Sequence, residues 1–467
     1  MNTQKLLSYG LMPALFALSP VAQAVEGELK KPQTMEEMWQ IIQAQQQQLN
    51  EMQKKLEQAS AAPADHQVQT LERKTNVLTE EVEKLRTELV IPEETEYKSQ
   101  YGLGPAASKV YQVGKGLSIG GYGEANYQAV VSDEPAGQPG KDNADLERAV
   151  LYVGYKFTDN ILFNSEIEFE HASTGEGSEE KGEVSVEFAA LDFFINPLAN
   201  IRAGMVLMPM GFINQIHEPP FFFGNNRPEV ERRIIPSTWR EIGVGLFGEL
   251  IPGLTYTAYA VNGLNADEFS DSGIRDGRQG GSKAKAEDMA FVGRVDYAPA
   301  FVPGLSVGGS AYLGNSGQDQ TFAGQKADVF TQLYETHVQW KYRGLEFRAL
   351  GSYGHIDDAA LLSADKGKTV GSDNYGWYTE VGYDVMPFLM PDSTQYLAPF
   401  FRYEQFDTIA SAPAGFLDDP TKDQRIYQFG VNYKPIPNVV IKADYRNFDS
   451  KGGDLPDDFN LGLGFIF

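Results

Sequence analysis

An all-β transmembrane barrel of sixteen antiparallel strands, preceded by an α-helical coiled-coil segment, is the fold class the sequence predicts, on three observations. From Leu117 to Phe467 large apolar side chains alternate with small or polar ones at a period of two, as on strands with one greasy and one wet face. The connections between these stretches run alternately short and long, which is how strands crossing a bilayer are joined. Past the first two dozen positions no run of 18 apolar residues occurs, so a helix cannot supply the crossing.

The elements follow in chain order. Residues 1–24 carry Lys5, an apolar stretch from Leu6 to Leu18, and Ala22-Gln23-Ala24 ahead of Val25; this reads as a cleaved secretory signal peptide. Residues 25–98 are expected to form a periplasmic coiled-coil segment. Met35, Met38, Ile42, Gln45, Leu49, Met52 and Leu56, then Val68, Leu71, Thr75, Leu78, Val82, Leu85 and Leu89, step by three and four. That spacing keeps a narrow seam on one side of a helix, which another copy of the same helix buries best. Pro63 divides the two runs. Self-association into a homotrimer is the first expectation, and a solvated helix in the monomer is the alternative.

Residues 99–467 are expected to be the outer-membrane barrel. Sixteen alternating segments can be placed, from 117–130 to 458–467. At roughly 22 residues per strand and connection there is room for spanning strands of about 9–11 residues. The last segment shows the pattern plainly: Phe459, Leu461, Leu463, Phe465 and Phe467 on one face, Asn460, Gly462, Gly464 and Ile466 on the other. A barrel this wide encloses water, whereas eight strands would be filled by side chains.

The period of two breaks once, at about 209–236, where prolines stand at both ends and Phe221, Phe222 and Phe223 follow each other. Three adjacent phenylalanines would not sit in water, so the loop is expected to fold into the barrel as a constriction. Its charged residues, His217, Glu218, Arg227, Glu229, Glu231, Arg232 and Arg233, would then lie at the narrowest point. The alternative is an external cap or a subunit contact. By parity Arg148, Lys156, Arg202, Arg294, Arg348, Arg402, Lys442 and Arg446 face inward, and so do Glu124, Glu166, Glu168, Glu170, Glu335, Glu380, Asp384, Glu404 and Asp444. Both signs are present: a ladder of inward arginines would conduct anions by replacing their hydration with fixed donors, while rings of acids would favour cations.

Composition excludes several functions. The 467 residues hold 39 Lys+Arg against 64 Asp+Glu, a formal net charge of −25, and no cysteine. A disulfide framework, a thiolate metal site and a thiol nucleophile are therefore out, and nucleic acid is not an expected partner because it needs clustered cations. The five histidines, His66, His171, His217, His337 and His355, show neither metal-ligand spacing nor a nucleophile elbow. No enzyme activity, catalytic residue, cofactor or metal is expected. Acids concentrated in the long loops fit divalent-ion bridging to lipopolysaccharide.

A family resemblance adds to this reading. Arg202-Ala203-Gly204 through Met208-Pro209-Met210-Gly211, His217-Glu218-Pro219-Pro220, Arg227-Pro228, Ile234 to Trp239, Glu241 to Gly245, Gly277-Arg278-Gln279-Gly280 and the ending Leu463 to Phe467 resemble the phosphate-selective porin O and P family. The resemblance implies a trimeric sixteen-stranded porin with its third long loop turned inward. The N-terminal coiled coil instead resembles the extension of dicarboxylate-type porins. Together these imply a passive porin of the Gram-negative outer membrane, an anion channel for small hydrophilic solutes such as phosphate or dicarboxylates. The alternative is a structural barrel whose coiled coil tethers periplasmic partners.

Overall fold

In the computed structural model the described residues are 98–132, 142–174 and 182–467, with Gln43, Gln47, Asn50, Glu51 and Lys54 in the N-terminal stretch. Those five are helical and exposed. The expected signal peptide and the rest of the expected coiled coil lie outside the described residues. The chain divides into two units, Met1–Thr95 and Glu96–Phe467.

The second unit is a closed antiparallel barrel of sixteen strands. They are β1 (Gly116–Ser132), β2 (Asn143–Thr158), β3 (Ile161–Glu170), β4 (Val184–Asn196), β5 (Ala199–Leu207), β6 (Arg240–Ile251), β7 (Leu254–Asn262), β8 (Met289–Tyr297), β9 (Leu305–Asn315), β10 (Phe330–Tyr342), β11 (Leu345–Ile356), β12 (Asp373–Tyr383), β13 (Tyr396–Ser411), β14 (Asp423–Ile436), β15 (Val439–Ser450) and β16 (Asp457–Ile466). Each strand pairs with its chain neighbours, and β16 returns to β1 in the register Tyr122 with Ile466 and Gln128 with Asn460. Closure matters physically because an open edge in hydrocarbon would leave a row of unpaired backbone donors and acceptors.

The alternation decides which face meets which medium. Leu117, Ile119, Leu151, Val244, Leu246, Phe291, Phe429, Ile441, Leu461 and Leu463 are large, apolar and exposed on the outside. Continuous exposed apolar surface of this extent belongs against lipid, not water. Toward the long-loop end the belt carries Tyr334, Tyr353, Trp377, Tyr403 and Tyr427, with Trp377 and Tyr403 rings 5.1 Å apart. Toward the short-turn end it carries Tyr155, Phe157, Tyr342, Tyr383 and Phe388. Amphipathic rings at both rims are the interfacial anchors of membrane proteins.

The β5–β6 loop and residues 99–113 both lie in the interior. The loop joining β5 to β6 turns inward, and residues Met208, Met210, Ile213, Val230 and Ile234 are buried. Inner-face glycines make its seat: a Cβ at Gly464 would lie 2.3 Å from Pro219, one at Gly382 2.4 Å from the Phe223 ring, and one at Gly376 2.9 Å from Val230. These are positions where the alternation needs a small residue because backbone from elsewhere passes close.

The second inner segment, residues 99–113, precedes the first strand and does not join the wall. It is instead packed inside the barrel, with the 3-10 turn Ala107–Tyr111 against β1, β2 and β3. Asn164 donates to the Ala107 carbonyl at 2.9 Å, Arg202 to the Tyr101 carbonyl at 3.2 Å, and Lys156 to the Val113 carbonyl at 3.2 Å. All three side chains project from the inner wall, so they supply the donors that this irregular backbone lacks.

Candidate functional site

The neck of the inward loop is closed by one side chain. Asn214 donates to the carbonyls of Met208 (2.7 Å) and Trp239 (2.8 Å) and accepts from the Trp239 amide at 2.7 Å, bridging the two legs much as a strand would. Glu231, on the helical turn Val230–Arg233, accepts from the amides of Phe212 and Ile213, both at 2.7 Å, and from the Tyr378 hydroxyl at 2.6 Å. Burial raises its pKa, and a like charge at Glu335 adds to that, although its hydrogen bonds oppose the shift. Glu231 is thus a buried brace of the loop, not a charge presented to the channel.

The far side of the loop crosses to the opposite wall. There its carbonyls meet wall side chains in sequence: Phe221 takes Arg348 (2.6 Å), Phe222 takes Asn432 (3.0 Å), Phe223 takes Arg402 (2.6 Å), Gly224 takes Lys442 (2.7 Å) and Asn226 takes Arg402 (3.3 Å). Lys442 also sits 3.5 Å above the Phe222 ring. A loop without its own ladder needs such donors, because an unpaired buried carbonyl costs about 1–3 kcal/mol.

The inward arginines of the wall do not stand as free cations. Arg148 pairs with Glu124 (2.7 Å) and Glu168 (3.3 Å), Arg202 with Asp192 (2.7 Å), and Arg294 with Asp296 (2.7 Å). Arg402 pairs with Glu380 (2.9 Å), Arg348 lies 3.5 Å from the same carboxylate, and Arg446 pairs with Asp458 (2.5 Å). The physical reason is burial: a guanidinium taken out of bulk water must be paired or hydrogen-bonded in place. Glu124, Glu168 and Glu380, which parity also turned inward, are among the partners, and Asp192, Asp296 and Asp458 are the others.

The loop's own charges divide in the same way. Glu229 accepts from Arg233 at 3.1 Å and faces Arg232 and Arg446. Burial pushes its pKa up, but the three arginines prevail and hold it below the usual carboxylate range. His217 is buried against β3 and β4, 3.0 Å from Glu166, and burial together with the Arg227 charge lowers its pKa to about 4. It is therefore a neutral imidazole at neutral pH. Glu218 accepts from the amides of Ala106 (2.9 Å) and Ala107 (3.3 Å), so it ties the second inner segment to the loop.

Burial raises the pKa of Glu218 to about 8 from an ordinary value of 4.5. A carboxyl whose folded pKa is raised contributes docking stability that is full below about 4.5 and is lost as the pH rises through about 8. Amide hydrogen exchange at Ala106 and Ala107 is accordingly expected to accelerate, relative to a surface amide, between pH 7 and 9. In Glu218→Gln that extra acceleration disappears; its persistence would remove Glu218 as the cause.

Four arginines converge on a different balance. The loop joining β7 to β8 also folds inward, with Ala266, Phe269 and Ile274 buried. From it Arg275 donates to the Ser237 carbonyl (3.1 Å) and hydroxyl (3.0 Å), and Arg278 to the Thr238 hydroxyl at 2.7 Å. Both therefore sit over the return leg of the constriction loop. Among the described residues neither these two nor Arg227 forms an ion pair with a carboxylate, and Nε and Nη2 of Arg227 are buried without a hydrogen-bond partner. Burial lowers the pKa of Arg275, and the charges of Arg278, Arg232 and Arg227 lower it further. Arg232, half of whose side chain is exposed, completes the group. Apart from Arg232, which lies 3.5 Å from Glu229, these guanidiniums have no ion pair with a carboxylate among the described residues, so an anion could take their donors directly.

Nothing in the sequence singles out Arg275, since its loop has the composition of any polar surface loop. The only signal was the neighbouring Gly277-Arg278-Gln279-Gly280.

Comparison with known proteins places this architecture. No family model matches the chain. In fold it is similar to a loop-deletion form of OmpT, an outer membrane protein of Vibrio cholerae, at 13% identity, 76% of this chain, 100% of that chain and a TM-score of 0.50. OmpF of Salmonella typhi, in a complex with daunomycin, gives 13% identity, 76% and 98% coverage and a TM-score of 0.50. The outer membrane channel DcaP of Acinetobacter baumannii gives 15% identity, 75% and 97% coverage and 0.48. In sequence, an uncharacterized protein of Aquifex aeolicus (strain VF5) is 39% identical over 396 residues, spanning 82% of this chain and 87% of that one. The chain belongs to the family of that Aquifex aeolicus protein, on a barrel whose fold is that of the outer-membrane porins.

Proposed function

We propose that the protein is a passive, homotrimeric porin of the outer membrane that passes small hydrophilic anions, phosphate or dicarboxylates, through a constriction formed by the β5–β6 loop. The observation that carries the reading is the Arg227, Arg232, Arg275 and Arg278 cluster, three of whose members have no carboxylate ion pair among the described residues. In a barrel otherwise balanced pair by pair, that surplus of positive charge lies over the constriction. An anion arriving there exchanges hydration for fixed donors without any partner having to be displaced. The resemblance to phosphate-selective porins and the N-terminal heptads support the solute class and the trimer. No turnover chemistry enters this reading.

A second reading has its own support. The constriction loop reaches the far wall and residues 99–113 occupy the short-turn end, as would suit a structural barrel whose coiled coil engages periplasmic partners. Purified protein in a planar bilayer under a KCl gradient separates the two. Conductance in triplet steps, with a reversal potential of anion preference and block by added phosphate or succinate, is the expected result. A silent barrel would overturn the porin reading in favour of the structural one.

A further inference from the structure

The carboxylates of Glu166 on β3 and Glu187 on β4 converge on the imidazole of His217 in the constriction loop. His217 Nε2 lies 3.0 Å from Glu166 Oε1 and 3.8 Å from Glu187 Oε2, and the three donor atoms all lie within 4.8 Å of one another. All three residues are at least 98% buried, since Glu166 and Glu187 are 0% exposed and His217 2%. Their bonding is incomplete: among the described residues Glu166 Oε2 and Glu187 Oε2 have no hydrogen-bond partner. Arg240 takes the other oxygen of Glu187 at 2.8 Å, whereas among the described residues Glu166 forms its ion pair with His217. Buried carboxylate lone pairs left idle cost free energy unless a donor or cation meets them.

Two carboxylates and one neutral imidazole, aimed at a common point from two strands and a loop, form a recognised donor set for a divalent transition metal. Ligand bonds of about 2.0–2.2 Å put donors roughly 3.3 Å apart, so side-chain shifts of under about an ångström would close the site. We infer that Glu166, Glu187 and His217 bind one divalent transition-metal ion, of the zinc or manganese class, which fastens the constriction loop to the β3–β4 wall. The sequence separates the three residues by 21 and 30 positions, which is why the spacing of the histidines showed nothing. The inference does not depend on which solute, if any, the barrel passes.

Untagged full-length protein in detergent, stripped with chelator and then equilibrated with zinc alone, tests it. Mass-spectrometric metal analysis after gel filtration is expected to find one zinc per chain that survives a wash with excess calcium. Glu166→Gln with Glu187→Gln, and separately His217→Ala, should each lose affinity by at least roughly tenfold. Heat-modifiable migration on gels verifies that each variant is still a closed barrel. Because acidic loops bind metals loosely, the comparison with the variants is decisive. Zinc retained equally by wild type and both folded variants, or well under one equivalent in the wild type, would overturn the site. Zinc lost from the double variant but retained by His217→Ala would overturn the role of the loop.

Discussion

Replacing Arg275 and Arg278 together by alanine is expected to abolish phosphate and dicarboxylate block and to move the reversal potential in a KCl gradient toward the cation side. Both guanidiniums hold the return leg of the constriction loop through Ser237 and Thr238, and neither has a carboxylate to neutralise it among the described residues. At the wet end of a lumen each contributes about 1 kcal/mol to an anion some 4 Å away, so removing two lowers anion occupancy by roughly tenfold or more. Arg202→Ala makes the contrasting control: its charge is already cancelled by Asp192 at 2.7 Å, so selectivity should shift little while the 99–113 segment loosens. Equal selectivity in wild type and the Arg275/Arg278 variant would remove this cluster from the filter. Raising the ionic strength should shrink the difference, as screening requires.

The largest expected structural effect comes from Arg402→Met. One fully buried guanidinium there answers Glu380, Gln428 and the carbonyls of Phe223 and Asn226. Deleting it leaves the buried Glu380 carboxylate with only Arg348 at 3.5 Å and leaves two carbonyls unpaired, and breaking a buried pair costs about 3–5 kcal/mol. The cost falls on the docked loop before the barrel, since the strand ladders are untouched. We expect the loop to become cleavable by trypsin at Arg232 and Arg233 and the single-channel current to become noisy. Arg402→Met with Glu380→Met should recover part of the docking, because the stranded charge is then gone while the carbonyls stay unpaired. A quiet channel with an uncleaved loop in the single variant would show that Arg348, Asn432 and Lys442 suffice.

Strand number and the face each strand turns to lipid were legible because they are local properties. A period of two decides which side chains share a face, and Leu345, Phe347, Ala349 and Tyr353 against Glu346, Arg348 and Ser352 announce it without reference to any neighbour. The break in period at 209–236 was legible for the same reason, and the three phenylalanines argued for burial. Parity also turns Arg402 and Glu380 inward. It cannot tell whether an inward charge faces water or another charge.

That distinction belongs to pairs of residues far apart in the chain. Arg402 and the Phe223 carbonyl are 179 positions apart, Asn225 and Asp444 are 219 apart, and Glu218 and Ala106 are 112 apart. The curvature of a closed sheet brings them together, and no spacing rule encodes it. By itself the sequence determined the barrel, its lipid-facing belt and the loop that must leave the strand pattern, because alternation and hydrophobic burial act between near neighbours. Only the tertiary structure decided that the wall arginines serve the loop's carbonyls, that residues 99–113 lie inside, and that Arg275 joins the free cations. Charges and backbone groups buried in a lumen are compensated across its width, by whatever the far wall presents.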